Sequence, residues 1–171
     1  TFFVVGQNLK NYPNLGKQIV AEGHVIGNHT WHHWYHFFNP QAAAFEIDNT
    51  SELISQITGA KTTLFRPPGG MLHNGLVSYA KSNKYTVIMW SVDSVDYSRP
   101  SAPILTSRVL KSSKTGSIVL MHDGGGNRSH TVAALPQIIS KLRQQGYRFV
   151  TIPELLELQD KNYKLIANRK K

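Results

Sequence analysis

Short uninterrupted apolar runs alternate along the chain with longer stretches in which apolar residues recur at helical spacing. The runs are Phe2–Val5, His24–Asn28, Thr63–Arg66, Thr86–Trp90, Ser117–Met121 and Arg148–Ile152. They are rich in β-branched and aromatic residues and do not alternate apolar with polar, so they predict strands buried on both faces. Between them the spacing predicts helices over Leu15–Glu22, Pro40–Thr58, Asn74–Ser82, Pro103–Lys111 and Thr131–Gln145. Gly23, Gly59 and Gly146 follow three of these, where a residue of left-handed conformation ends a helix. Strands joined by connections long enough to hold a helix run parallel, which gives an α/β fold.

Four of the predicted strands lead directly into unusual polar residues: "HVIGNHTWHH", "LFRPPGG", "VIMWSVDSVD" and "IVLMHDGGG". A β/α barrel carries its chemistry at the C-terminal ends of several strands. An open doubly wound sheet gathers a ligand at one switch point instead. Chemistry at four strand ends favours the barrel. No glycine-rich dinucleotide fingerprint and no phosphate-binding loop follows any strand.

Composition narrows the field. A chain of 171 residues suits one domain, which the pattern places at 1–158, with a basic tail at 159–171 ending in "NRKK". No apolar run reaches the roughly 20 residues that span a bilayer, and no stretch has the make-up of a signal peptide. The absence of cysteine excludes zinc fingers, disulfide scaffolds and thiol nucleophiles. A net charge of +9 favours acidic partners such as nucleic acid, anionic envelope polymers or a membrane surface.

The candidate chemistry lies in the polar ends. Half of the eight histidines, His29, His32, His33 and His36, fall within one short segment. Such a cluster at a strand end points to metal. On a helical turn His29 and His33 would face the same way and could share an ion. His32 and His36 have the same spacing, so spacing leaves both pairs open. In "RPPGG", Pro67 and Pro68 stiffen the backbone, and Gly69 lets it approach a ligand. Arg66, at the end of a buried run, needs a carboxylate or anion. Asp93 and Asp96 are placed to orient a histidine or bind metal, or simply to form turns. His122, delivered by a strand to its end, suits a general acid or base.

"HTWHH", "RPPGG", "SVDSVDY" and "LMHD", in this order and spacing, resemble the polysaccharide deacetylase family with the NodB homology domain, carbohydrate esterase family 4. The resemblance extends to about Leu158. It implies a distorted β/α barrel and a metal-dependent hydrolase. Such an enzyme removes N-acetyl groups from an N-acetylglucosamine-containing glycan, chitin oligomers or peptidoglycan, outside the cell or in its envelope. It also implies a divalent metal, Zn²⁺ or else Co²⁺, and a glycan rather than a nucleic-acid partner. By this resemblance His29 and His33 match the metal ligands, and Arg66 matches the arginine that orients a catalytic aspartate. His122 matches the general acid, Asp96 its carboxylate partner, and Leu120 the apolar lining of the acetyl pocket. Pro67, Pro68, Gly69, Tyr97 and Trp31 fall where substrate would be held.

Three departures stand out. Tyr97 replaces the family's tryptophan in the aspartate motif. Gly69 stands where many members carry an aromatic. The family's first motif, "TFDDGP", which supplies the general base and a third metal ligand, has no counterpart in the chain. The pattern therefore predicts a barrel without its first strand and helix, and leaves a second reading: a non-catalytic glycan-binding or inactive fragment of the same fold. Of the remaining acidic residues at strand ends, only Asp93 is a candidate substitute base. The chain as given is expected to release negligible acetate from N-acetylglucosamine oligomers with Zn²⁺ or Co²⁺, compared with a chain extended upstream. Equal release by the two would contradict this and point to Asp93, which Asp93→Asn then tests.

Overall fold

The computed structural model describes residues 1–169. It divides into two compact units, Thr1–Met89 with Thr151–Leu156, and Trp90–Val150 with the chain from Glu157 onward.

In the first unit β1 (Phe2–Val4) is followed by α1 (Gly6–Asn11), α2 (Pro13–Ala21) and β2 (Ile26–Asn28). Then come α3 (Pro40–Thr58), β3 (Leu64–Phe65), α4 (Leu76–Ser82) and β4 (Thr86–Val87). The four strands pair in the order β1-β2-β3-β4, every pair parallel, with Phe3 opposite Gly27 and Asn28 opposite Phe65. The longest helix starts and stops as expected. The Asn39 side chain accepts from Ala42 N–H at 2.8 Å, Pro40 occupies the first turn, and Gly59 ends it at φ 73°. Its buried stripe, Ala43, Glu46, Ile47, Thr50 and Ile54, has helical spacing and one carboxylate in it. Two apolar clusters form the interior: Phe38, Ala43, Ile47, Phe65, Leu76, Val77 and Ala80 in one, Leu9, Ile26 and Ile54 in the other.

The second unit holds β5 (Val92–Asp93), α5 (Ala102–Ser112), β6 (Val119–Leu120) and α6 (Ser129–Gln144). Strands β5 and β6 are parallel, with Asp93 opposite Leu120. Helices α5 and α6 bury Leu105, Val109, Ala134, Ile138 and Leu142 against one another. The expected α/β arrangement of parallel strands and helices is thus present in both units.

Three elements differ from the pattern's expectation. Arg148–Ile152 is not a strand. Ile152 opens a helix, α7 (Ile152–Arg169), and Thr151 caps it. Glu154 Oε2 accepts from the backbone N–H and the hydroxyl of Thr151 at 2.7 and 2.8 Å. "TIPE", a capping threonine with glutamate three residues on, was a legible helix start. Residues from 159 continue α7 as far as Arg169, while Lys170 and Lys171 of the expected tail lie outside the described residues. Helix α1 has only six residues and Leu9 as its one buried large side chain, too little for a periodic signal. Strand β5 is two residues long and is defined by its pairing with β6.

Gly27 is required by packing. A Cβ there would stand 2.7 Å from Phe3 ring atoms. The Arg66 guanidinium sits over that same ring, 4.8 Å from its centroid. Gly27→Ala forces the ring to move and is expected to destabilise by about 1–3 kcal/mol, as overpacking does. Urea unfolding measures it, and an unchanged midpoint would contradict this packing account.

Candidate active site

In the first unit, β2 delivers Asn28 and then the histidine segment. The segment is not a helical turn: Thr30 and His33 take left-handed φ values of 67° and 62°. The geometric reason given for pairing His29 with His33 is therefore corrected, but the pairing itself occurs. Their rings lie edge to face with centroids 4.7 Å apart. A bend, not a helix, brings them together. His29 is nearly buried, and its Nδ1 lies 2.5 Å from the Arg66 carbonyl oxygen. A carbonyl only accepts, so Nδ1 carries the proton and the neutral ring bears its lone pair on Nε2. A metal-binding imidazole is commonly oriented in this way. The rings of the rival pair stack elsewhere, His32 on Trp34 and His36 on Phe38. His32 Nδ1 meets Glu46 Oε1 at 2.5 Å. His36 stacks on Phe38 with its Nδ1 2.7 Å from the Phe37 carbonyl.

The neighbouring predicted residues divide by role. Arg66 receives its position from β3, whose ladder continues as Arg66 N–H donates to the Asn28 carbonyl at 3.0 Å. Pro67 and Pro68 are buried. Gly69 has φ 58°, and a Cβ there would stand 2.8 Å from the Tyr35 ring. The aromatic beside position 69 therefore comes from Tyr35, which also meets the His33 ring edge-on at 5.3 Å. Trp31 packs against Gly6, whose missing side chain leaves it room.

In the second unit the expected couple forms. Asp96 is 1% exposed. Its Oδ1 lies 2.6 Å from His122 Nδ1. Its Oδ2 accepts from the His122 backbone N–H at 2.7 Å and from the Thr131 hydroxyl at 3.1 Å. Burial pushes the Asp96 carboxyl up. The His122 side-chain and backbone hydrogen bonds, the His122 charge and Thr131 push it down further, and hold it below its ordinary value. Ionised Asp96 accepts the Nδ1 proton of His122, which leaves Nε2 for proton exchange with substrate. Val95 precedes Asp96 in a left-handed conformation, φ 55°, uncommon for a β-branched residue. Asp93 Oδ1 holds Val95 N–H at 2.8 Å, so Asp93 does serve as a turn former. Tyr97 is half exposed and meets the His122 ring edge-on at 5.9 Å. Leu120 is buried in β6, its carbonyl held by Ser94 Oγ at 2.6 Å.

Sequence reasoning missed Asn28, Thr30, Glu46, Ser94 and Thr131. Glu46 had a signal, since a carboxylate on the apolar stripe of α3 demands a partner.

The polysaccharide deacetylase family model matches residues 1–88. A peptidoglycan-N-acetylglucosamine deacetylase of Bacillus cereus is 42% identical over 159 residues, covering 91% of this chain and 74% of that protein. The chain belongs to the polysaccharide deacetylase family. A solved peptidoglycan N-acetylglucosamine deacetylase, Bc1960 in complex with a hydroxamate, superposes with TM-score 0.85 at 38% identity, covering 90% of this chain and 73% of that one. The α/β fold is that of such deacetylases. A Bacillus anthracis protein described as a carbohydrate esterase family 4 pseudoenzyme has TM-score 0.83 and 33% identity, covering 91% of this chain and 54% of that one. The chain thus spans from about half to three quarters of the length of these relatives.

Two imidazoles in ring contact, one with its tautomer set, form a donor pair suited to a borderline metal such as Zn²⁺. Among the described residues no group of three or more histidine and carboxylate side chains is placed to hold an ion. The residues present therefore fit two of the positions around a metal.

The Asp96 carboxyl gives a pH prediction. Its folded value lies below the ordinary 3.8, so its stabilising effect is fully present above that value. It is lost as pH falls through the lower folded value. Wild type is expected to exceed Asp96→Asn in stability at neutral pH, with the gap closing only below pH ~3.8. Chemical denaturation between pH 2 and 7 checks this, and a pH-independent gap would contradict it.

Proposed function

We propose that this chain contributes to a metal-dependent deacetylase acting on N-acetylglucosamine units of peptidoglycan, at the cell envelope. The observation that carries the reading is the buried Asp96 bound to His122 by two hydrogen bonds, at 2.6 and 2.7 Å. Relatives named for peptidoglycan deacetylation favour that glycan over chitin. Among the described residues no helix is long and apolar enough to cross a membrane.

In this reading His29 and His33 are ligands of Zn²⁺ or Co²⁺. A divalent metal there supplies Lewis-acid polarisation and activation of water. His29 is oriented by the Arg66 carbonyl. His122 is the acid. Asp96 holds the Nδ1 proton of His122 and leaves Nε2 to carry the proton that is donated. As the amide C–N bond breaks, that Nε2 proton passes to the sugar nitrogen. Acetate and a free glucosamine amine result. By the family resemblance Trp31, Gly69 and Tyr97 contact sugar in this reading, and Leu120 the acetyl methyl.

The second reading, a glycan-binding protein without hydrolysis, is favoured by the likeness to a pseudoenzyme. Assay of acetate release from peptidoglycan separates the two, using the chain within its full-length protein. His122→Ala is expected to lower turnover about 10²–10⁴-fold with Zn²⁺ affinity little changed, whereas His29→Ala and His33→Ala should lose Zn²⁺ affinity. In a zinc-soaked structure both imidazoles should stand roughly 2.0–2.1 Å from the ion. Glycan binding without acetate release from wild type would favour the second reading. Ligation by His32 and His36 would overturn the metal assignment.

A further inference from the structure

We propose that Glu46 is a positioning residue for the His29–His33 pair, with His32 as its hydrogen-bonding partner. The proposal rests on the reading of His29 and His33 as metal ligands.

Glu46 stands on α3, 2% exposed. Its Oε2 accepts from the backbone N–H groups of Trp31 and His32, both at 2.9 Å. Its Oε1 meets His32 Nδ1 at 2.5 Å. A carboxylate so buried persists only where donors offset its desolvation. Here those donors include the two peptide groups midway between the ligand histidines. The rest of the bend is held in the same way. His29 N–H donates to the Val4 carbonyl at 3.0 Å. Thr30 N–H donates to Asn28 Oδ1 at 2.9 Å, and His33 N–H to Thr30 Oγ1 at 3.0 Å. From the other side, Gly6 and Gln7 of α1 donate their N–H groups to the carbonyls of Thr30 and Trp31 at 2.9 and 3.0 Å. No helix or sheet ladder sets this shape, which carries two left-handed residues. Backbone groups of β1 and α1 set it together with side chains, of which Glu46 is the charged one. Helix α3 is in turn fastened to β2, as Asn28 Nδ2 donates to the Ile47 carbonyl at 2.7 Å and to Ser51 Oγ at 2.8 Å.

Both Glu46 oxygens are occupied by donors, so Glu46 acts through the backbone and not as a ligand itself. This also accounts for His32. Its ring lies nearly parallel to Trp34 at 4.0 Å and to Phe45 at 5.8 Å, with its Nδ1 on Glu46. In this proposal its contact with Glu46 helps to hold the bend.

Co²⁺ titration followed by visible absorption reads the site. Glu46→Ala is expected to weaken Co²⁺ binding by about 10–100-fold, as loss of an outer-shell partner does, and to alter the ligand-field bands. Glu46→Gln keeps an acceptor oxygen for the two N–H groups and should restore affinity to within a few-fold of wild type. His29→Ala tests the ligand reading separately. Wild-type affinity and spectrum in Glu46→Ala, with binding lost in His29→Ala, overturns the positioning role and leaves the ligand reading standing. Binding lost in neither variant removes both. Hydrogen exchange of the metal-free wild-type chain decides the clamp even where Glu46→Ala does not fold. The Trp31 and His32 amides should be protected although they lie outside any helix or strand. Exchange as fast as in open loops overturns the proposal.

Discussion

The bend from Asn28 to His33 must satisfy its backbone without a helix or sheet ladder, and much of the first unit is arranged to do so. Buried peptide groups need partners, and those of this segment come from β1, α1 and α3 as well as from the segment itself. Parallel pairing of β2 with β1 and β3 brings Asn28 to the strand end. Helix α3 brings Glu46, and α1 turns its first N–H groups toward the Thr30 and Trp31 carbonyls. A six-residue helix with one buried leucine has little stability of its own. Its place in the fold comes from these bonds, and so the bend and α1 support each other.

The second unit solves a related problem with the charge on a strand-end turn. Asp96 is almost wholly removed from water, which alone would favour its neutral form. Three donors, two of them from His122, reverse that preference. The carboxylate in turn fixes which imidazole nitrogen of His122 holds the proton it receives. The same hydrogen bonds thus stabilise the buried charge and orient the His122 ring. The left-handed Val95 is tied by Asp93 at its N–H and by the Ser98 hydroxyl at its carbonyl, the latter at 2.8 Å, just ahead of the carboxylate. A strained residue held in this way next to reactive groups is a common feature of functional sites.

Departures from the family pattern have local physical consequences. With glycine at position 69, the Tyr35 ring occupies the space a side chain there would take. An aromatic surface is retained beside residue 69, carried by the histidine segment instead of the proline turn. At Tyr97, a phenol replaces an indole, and its hydroxyl reaches Asp93 Oδ2 at 3.4 Å. The ring still meets His122 edge-on.

The sequence by itself determined the class of fold and most of its elements. Continuous apolar runs and helix-period stretches are local signals, and Pro40–Thr58 was readable to the residue because Asn39, Pro40 and Gly59 act on their own neighbours. It also singled out the candidate site residues, since few structural reasons gather histidines, an arginine and aspartates at successive strand ends. The tertiary structure decided what depends on partners distant in the chain. It put the rings of His29 and His33 in contact and stacked those of His32 and His36 on other aromatics, through a bend that spacing does not describe. It assigned the proton of His29 through the carbonyl of Arg66, thirty-seven residues away. It started α1 with hydrogen bonds to a segment more than twenty residues on. Spacing constrains a pair only when the backbone between is regular. Here two left-handed residues make the bend irregular, so its geometry depends on the distant backbone and side-chain groups that hold it.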